Sequence, residues 1–292
     1  MLWVAGALVA VILLFVVAVR SPLPRTLAMT RKALRARARR DWATAADLCR
    51  ASHDLAGTLK EPNRSRIEAA IEIEWAATLY RQASLRQAED LFRRGFSKSR
   101  AAGTHADQAT AYMLWGDLCA DEGRYPEAEQ HYRTALDAKE ERGDLGRMIF
   151  ALQRLGDVLI RRERRAEAEE ALNRALELEA RVVQNNAISW VLPDLHFCRE
   201  EYEDARRLYR EKVEFWQKSA KRPEDIELGH LQMRLGIAEA RTGHPAEAIE
   251  MFTRAQATFE REWCSAHPKA AAARAAKSQI VLAGGEALAS HA

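Results

Sequence analysis

Asp117, Asp157 and Asp194 stand 40 and 37 residues apart in stretches that otherwise share one pattern, so a single structural position carries an acid in three successive copies. Stacked in a row, the three carboxylates would form an acidic ladder suited to a basic or amide-rich peptide, with Trp190, Phe197 and Met233 as apolar anchors beside it. By offset within each copy, the same face includes Met113, Asp117 and Asp121, then Gln153, Asp157 and Arg161, then Trp190, Asp194 and Phe197, then Met233, Ile237 and Arg241. The competing arrangement pairs Asp157 with Arg161 one helical turn on and leaves the others solvated.

Covalent and metal chemistry find no comparable pattern. The four cysteines, Cys49, Cys119, Cys198 and Cys264, lie far apart without Cys-x-x-Cys spacing, which implies neither zinc nor a disulfide framework. The eight histidines are scattered with no His-Glu-x-x-His pair, and a metal site needs three or four convergent ligands. His196, near Pro193 and Cys198, is the only histidine beside another unusual feature. There is no glycine-rich phosphate loop and no Gly-x-Ser-x-Gly elbow. The expectation is a non-enzymatic chain with no catalytic residue, metal or cofactor.

The elements that must position the acidic face are read from Ala45, Ala88, Ala128, Ala168, Ala205 and Ala248, which mark one point in six segments spaced 43, 40, 40, 37 and 43 residues apart. Within a segment, apolar positions recur at three and four residues, as in Tyr112, Trp115, Leu118, Cys119 and then Ala128, His131, Tyr132, Ala135, Leu136. Two amphipathic helices joined by a tight turn follow from that spacing. Gly123 and Gly243 suit a left-handed turn residue, and Pro126 and Pro245 suit a first helical turn. Gly116, Gly156 and Gly236 on the first helix stand where Ala128, Ala168 and Ala248 of the second must approach. Pro193 interrupts the first helix of the fifth segment and predicts a kink or shortening between Gln184 and Cys198. A last helix from Pro268 ends at Gly284 and Gly285. Most of the seven tryptophans read as core, Trp190 on the groove being the exception.

Composition agrees with a helical array: of 292 residues, 30% are charged and 48% hydrophobic, with only 14 Gly and 8 Pro. Residues 1–19 are uncharged and apolar, twelve of them Leu, Ile, Val or Phe, with insertion contributions of about −4 to −7 kcal/mol. They predict a transmembrane anchor over 1–20. The basic run beyond it, including Arg20, Arg25, Arg31, Lys32 and Arg35, places the repeats in the cytoplasm by the positive-inside rule and offers a contact for anionic headgroups. The rest of the chain is net acidic. The run lacks interleaved aromatics, so no nucleic-acid partner is expected.

Tyr112, Trp115, Gly116, Ala128, Tyr132 and Ala135, and likewise Leu235, Gly236, Ala248, Phe252 and Ala255, resemble the tetratricopeptide repeat, over roughly residues 27–259. The long spacing is similar to the kinesin-light-chain-like variety. The resemblance implies an all-α fold, a right-handed solenoid of about six helix-turn-helix repeats over 41–266. A basic segment and first helix over 21–40 precede it, and a capping helix and short tail over 267–292 follow. It implies a scaffold or adaptor binding peptide or protein partners in its concave groove. The Lys and Asn with which some members clamp chaperone tails are replaced here by Met113, Asp117, Gln153 and Asp157. With the anchor, the chain resembles a bacterial inner-membrane protein touching the bilayer through residues 1–19. The alternative is a periplasmic or secreted protein of envelope assembly or quality control.

Overall fold

The computed structural model describes residues 22–103, 108–140, 144–182, 191–219 and 226–289. Among them are thirteen helices and no strand. The chain divides into two compact units, Met1–Asp107 and Gln108–Ala292. The first contains α1 (Pro22–Ala38), α2 (Trp42–Ala56), α3 (Asn63–Arg81) and α4 (Leu85–Ala101). The second contains α5 (Gln108–Asp121), α6 (Tyr125–Glu140), α7 (Leu145–Arg161), α8 (Arg165–Val182), α9 (Leu192–Cys198), α10 (Tyr202–Ser219), α11 (Ile226–Arg241), α12 (Pro245–Glu262) and α13 (Pro268–Ala289). From α1 to α12 the helices pair in order as hairpins, and α13 packs on α12.

Each hairpin turns in the same way. Arg40, Ala83, Gly123, Glu163, Glu200 and Gly243 all have φ between 60° and 81°, each standing at the same offset before a periodic alanine. The next amide then donates back to a carbonyl in the last turn of the preceding helix: Asp41 to Ala36, Ser84 to Leu79, Arg124 to Cys119, Arg164 to Leu159, Glu201 to His196 and His244 to Glu239, at 2.8–3.0 Å. This bond satisfies a carbonyl that the helix end would otherwise leave unpaired. The turn is therefore set by position, and glycine occupies it in only two hairpins. A Cβ in that conformation carries a steric cost, so Glu163→Gly is expected to raise stability by roughly 0.5–1 kcal/mol and Gly123→Ala to lower it by about as much. Paired thermal melts check both signs.

The periodic alanines belong to the core of the hairpins: Ala45, Ala88, Ala128, Ala168, Ala205 and Ala248 are all fully buried. The glycines of the first helices have a different partner from the one expected. A Cβ on Gly116 would lie 2.6 Å from Tyr132, one on Gly236 2.7 Å from Phe252, and one on Gly156 3.0 Å from Leu172. The large side chain one turn beyond each alanine, and not the alanine itself, lies against the glycine. Gly146, by contrast, has nothing within 4 Å of its missing Cβ. Gly116→Ala and Gly236→Ala are expected to cost about 1–3 kcal/mol through overpacking, whereas Gly146→Ala should stabilise by about 0.5–1 kcal/mol. Urea midpoints of the three variants would read this reversal of sign.

The other helices, within the described residues, run 14–22 residues, but α9 has only seven, with Pro193 in its first turn, where a missing amide proton costs nothing. Residues 184–190, including Trp190, lie outside the described residues. At the far end α13 continues through Gly284 and Gly285 to Ala289, beyond the expected stop. Each mid-helix glycine costs only about 1 kcal/mol, too little to end a helix without a following breaker.

The membrane placement is corrected. Among the described residues no helix is long and apolar enough to cross a membrane. The stretch 1–19 and Arg20, on which the anchor rested, lie outside the described residues. Arg25, Arg31, Lys32 and Arg35 form the exposed side of α1, whose other side buries Thr26, Ala33 and Ala36. Thr30 meets Ser52 of α2 at 2.7 Å across that hairpin. The basic run is thus the outer face of a paired helix, and a bilayer contact has no support in it.

Candidate functional site

The second unit encloses a cavity of about 360 Å³ lined by α5, α7, α9, α11 and α13, with a few residues of α8, α10 and α12 at its base. Helical spacing explains the lining. Residues 153, 157, 160 and 161 of α7, and 233, 237 and 241 of α11, recur at three and four positions and so share one face. Of the twelve groove residues read from the sequence, nine line it: Asp121, Gln153, Asp157, Arg161, Asp194, Phe197, Met233, Ile237 and Arg241. Met113 is half-buried on α5 outside the cavity wall, Asp117 stands just behind it, and Trp190 is not among the described residues.

The aspartates do not form an open ladder. Asp117 accepts a hydrogen bond from the Tyr132 hydroxyl at 2.7 Å and pairs with Arg154 at 3.4 Å. Asp157 accepts from Arg234 at 2.7 Å. Asp194, only 5% exposed, pairs with the same Arg234 and accepts from Tyr209 at 2.5 Å and Gln153 at 2.7 Å. Asp121 pairs with Lys269 of α13 at 2.9 Å. Asp157 therefore reaches two hairpins along the array, to α11, and Arg161 instead lies over the Tyr125 ring at 5.8 Å.

Electrostatics follow from this enclosure. Burial pushes the Asp194 carboxyl up, but Arg234, Lys212, Tyr209 and Gln153 together hold it below its ordinary value. The Tyr132 and Tyr209 hydroxyls are pushed well above theirs, by burial and then by the neighbouring aspartate. Burial lowers Lys212 to about 8, with Asp194 opposing. Burial, reinforced by Arg154, Lys269, Arg234 and His267, drives His230 well below its usual range, leaving a neutral ring whose Nε2 faces Arg154 at 3.5 Å.

Arg154, Arg234 and Lys269 were not among the groove residues expected from the sequence, and they pair with its carboxylates. Two of them had a readable signal: Arg154-Leu155-Gly156 and Arg234-Leu235-Gly236 repeat one tripeptide 80 residues apart, on the groove face. Lys269 has no such signature, since its partner is 148 positions away. His196 pairs with Glu201 at 2.5 Å. Among the described residues no group of three His, Cys, Asp or Glu could hold a metal ion. Cys49, Cys119 and Cys198 are buried free thiols, and burial pushes Cys49 up to about 11, which suits packing and not nucleophilic attack.

An all-helical array of paired, similarly turned hairpins with small residues at its close approaches is a solenoid of tetratricopeptide type. A family model described as tetratricopeptide repeat matches residues 67–141 and 107–180, and a second of the same description matches 154–220. Together they reach over half of the chain, which belongs to the tetratricopeptide repeat family. No curated protein matches. Among solved structures the chain is similar to a Rap protein complexed with Competence and Sporulation Factor, at 14% identity and a TM-score of 0.59, covering 90% of this chain and 72% of that one. It is also similar to aspartyl phosphate phosphatase F from Bacillus subtilis, at 13% identity and 0.57, covering 93% and 74%. A tetratricopeptide repeat protein from Parabacteroides merdae gives 15% and 0.53, covering 87% and 92%. At these identities the likeness is one of fold.

Proposed function

We propose that this protein is a non-catalytic interaction scaffold that holds a peptide or protein partner in the cavity of its second unit. The observation that carries the reading is the convergence of nine groove positions, drawn from four different helices, on one cavity with apolar and polar walls. Concave sites of this kind, with apolar surface and a few fixed polar groups, are where ligands are bound. The Rap protein of similar fold was solved as a complex with Competence and Sporulation Factor, which supports a binding role.

Site-specific photo-crosslinking tests it. A crosslinking residue in place of Ile237, which lines the cavity, should capture a discrete partner from extracts of the source cells. The same residue in place of Thr253, exposed on α12 away from the cavity, should not. Equal capture from both positions, or none from Ile237, would remove the cavity from consideration.

A further inference from the structure

We infer that the segment held in this cavity is acidic: an extended peptide whose carboxylates are taken by Arg161 and Arg241 and whose apolar side chains reach Ile160, Phe197 and Ile237. The inference rests on the binding role proposed above and adds the chemistry of the occupant.

The charge of the wall carries it. Five cationic side chains and three carboxylates line the cavity. Arg234 is engaged by Asp157 and Asp194, Lys269 by Asp121, and Arg154 by Asp117 behind the wall. Asp194 is buried, and each of the other carboxylates already carries a cation of the wall, so a basic ligand would have to compete with Arg154, Arg234 or Lys269 for it. Arg161 and Arg241 remain, both exposed and without a carboxylate partner among the described residues. A lysine or arginine entering the cavity meets repulsion from these two; a glutamate or aspartate meets two open guanidinium forks.

Both forks are also pre-set. Arg161 closes α7 and lies over Tyr125, which opens α6, at 5.8 Å; Arg241 closes α11 and lies over Tyr202, which opens α10, at 5.6 Å. The same pairing recurs in the first unit, where Arg81 lies 5.6 Å over Trp42. A cation–ring contact restricts where the guanidinium can sit and takes up no carboxylate, so a planar carboxylate can be met with less side-chain freedom left to lose. Tyr202 in turn meets Phe197 edge-on at 5.3 Å, which ties Arg241 to the apolar part of the wall. Charge and apolar surface thus adjoin on the wall, as they would on an acidic segment with interspersed Leu or Phe.

Fluorescence anisotropy on the full chain tests this with three labelled short peptides in which Leu and Phe alternate with Glu, with Gln or with Lys. The Glu peptide should bind at least about tenfold more tightly than the Gln peptide, weaken as salt is raised, and leave the Lys peptide unbound. The double substitution Arg161→Gln, Arg241→Gln should remove about that tenfold advantage while the melting temperature stays near the parent's, since each arginine surrenders only an exposed ring contact. The salt dependence of the unaltered protein gives a second measurement that needs no variant. Binding without preference for Glu, or a Glu advantage that survives the double substitution, overturns the acidic occupant and leaves the cavity as a binding site. Failure of all three peptides overturns the acidic occupant, while the binding role itself stands or falls with the crosslinking at Ile237.

Discussion

Arg234→Met is expected to lower the stability of the second unit by about 3–5 kcal/mol. Arg234 is 18% exposed and is bonded to both Asp157 and Asp194, and Asp194 is buried on a helix of only seven residues. Removing the guanidinium takes away one of the two cations that hold the enclosed Asp194 charge and leaves it to Lys212, and the penalty is that of a buried, under-compensated ion. The companion experiment separates charge from packing. In Arg234→Met with Asp194→Asn the charge is gone while the side-chain amide oxygen can still accept from Tyr209, so the double variant should recover about 1–2 kcal/mol relative to the single one. Urea unfolding at neutral pH reads both. Strict additivity of the two substitutions, or a loss below about 1 kcal/mol for Arg234→Met, would contradict the hub.

In the first unit the corresponding weak point is Lys98. Its ammonium lies 2.6 Å from Glu68 and 2.9 Å from Glu72, the latter 1% exposed. Lys98→Met should cost roughly 2–4 kcal/mol at neutral pH, discounted from the fully buried case because the lysine is a third exposed. The pH dependence is the sharper reading. Burial pushes both carboxyls up, but Lys98, Arg64 and His53 outweigh it and hold them below 4.5. In the parent they therefore contribute stability that is present above that value and lost as pH falls through the lower folded values. Without Lys98 only Arg64 and His53 oppose burial, so both folded carboxyls are raised relative to the parent and the variant keeps less of the stability that the parent gains as pH rises through and above its lowered carboxyl values. The gap between parent and variant should widen over that rise. Denaturant midpoints at pH 4.5 and 7 measure it, and a gap independent of pH would mean that the cost is packing and not charge.

The alanine period was enough to locate all six hairpins, because a close helix approach admits only a small side chain and so leaves a fixed residue type at a fixed interval. The turns were less legible. Gly123 and Gly243 announce a left-handed residue, whereas Arg40, Ala83, Glu163 and Glu200 adopt it because the flanking helices and the bond across the turn impose it. In the cavity, helical offsets brought nine of the twelve positions read from the sequence to one lining, since three-and-four spacing is local information. The charge balance was not local. Asp117, Asp157 and Asp194 do share a repeat position, but their partners Arg154 and Arg234 come from neighbouring and next-but-one hairpins. Counting acids along one stripe therefore gave the opposite sign from the assembled wall. Asp157 and Arg161, a helical turn apart, were the pair that local spacing offered, and the three-dimensional fold gives both of them other neighbours.

The bonds from Arg234 to Asp157 and from Lys269 to Asp121 have a mechanical consequence. A stack in which each hairpin touches only the next peels apart under tension one hairpin at a time, in a staircase of small steps. Here α7 is laced directly to α11, and α5 to α13, over the intervening hairpins. Pulling the second unit from its ends in an optical trap should load these laces together and release α5 to α13 in one large rupture. Cutting one lace with Lys269→Met should let α5, α6 and α13 peel away first while α7 to α11, still tied through Arg234, yield together, so that the single rupture splits into two kinds of step.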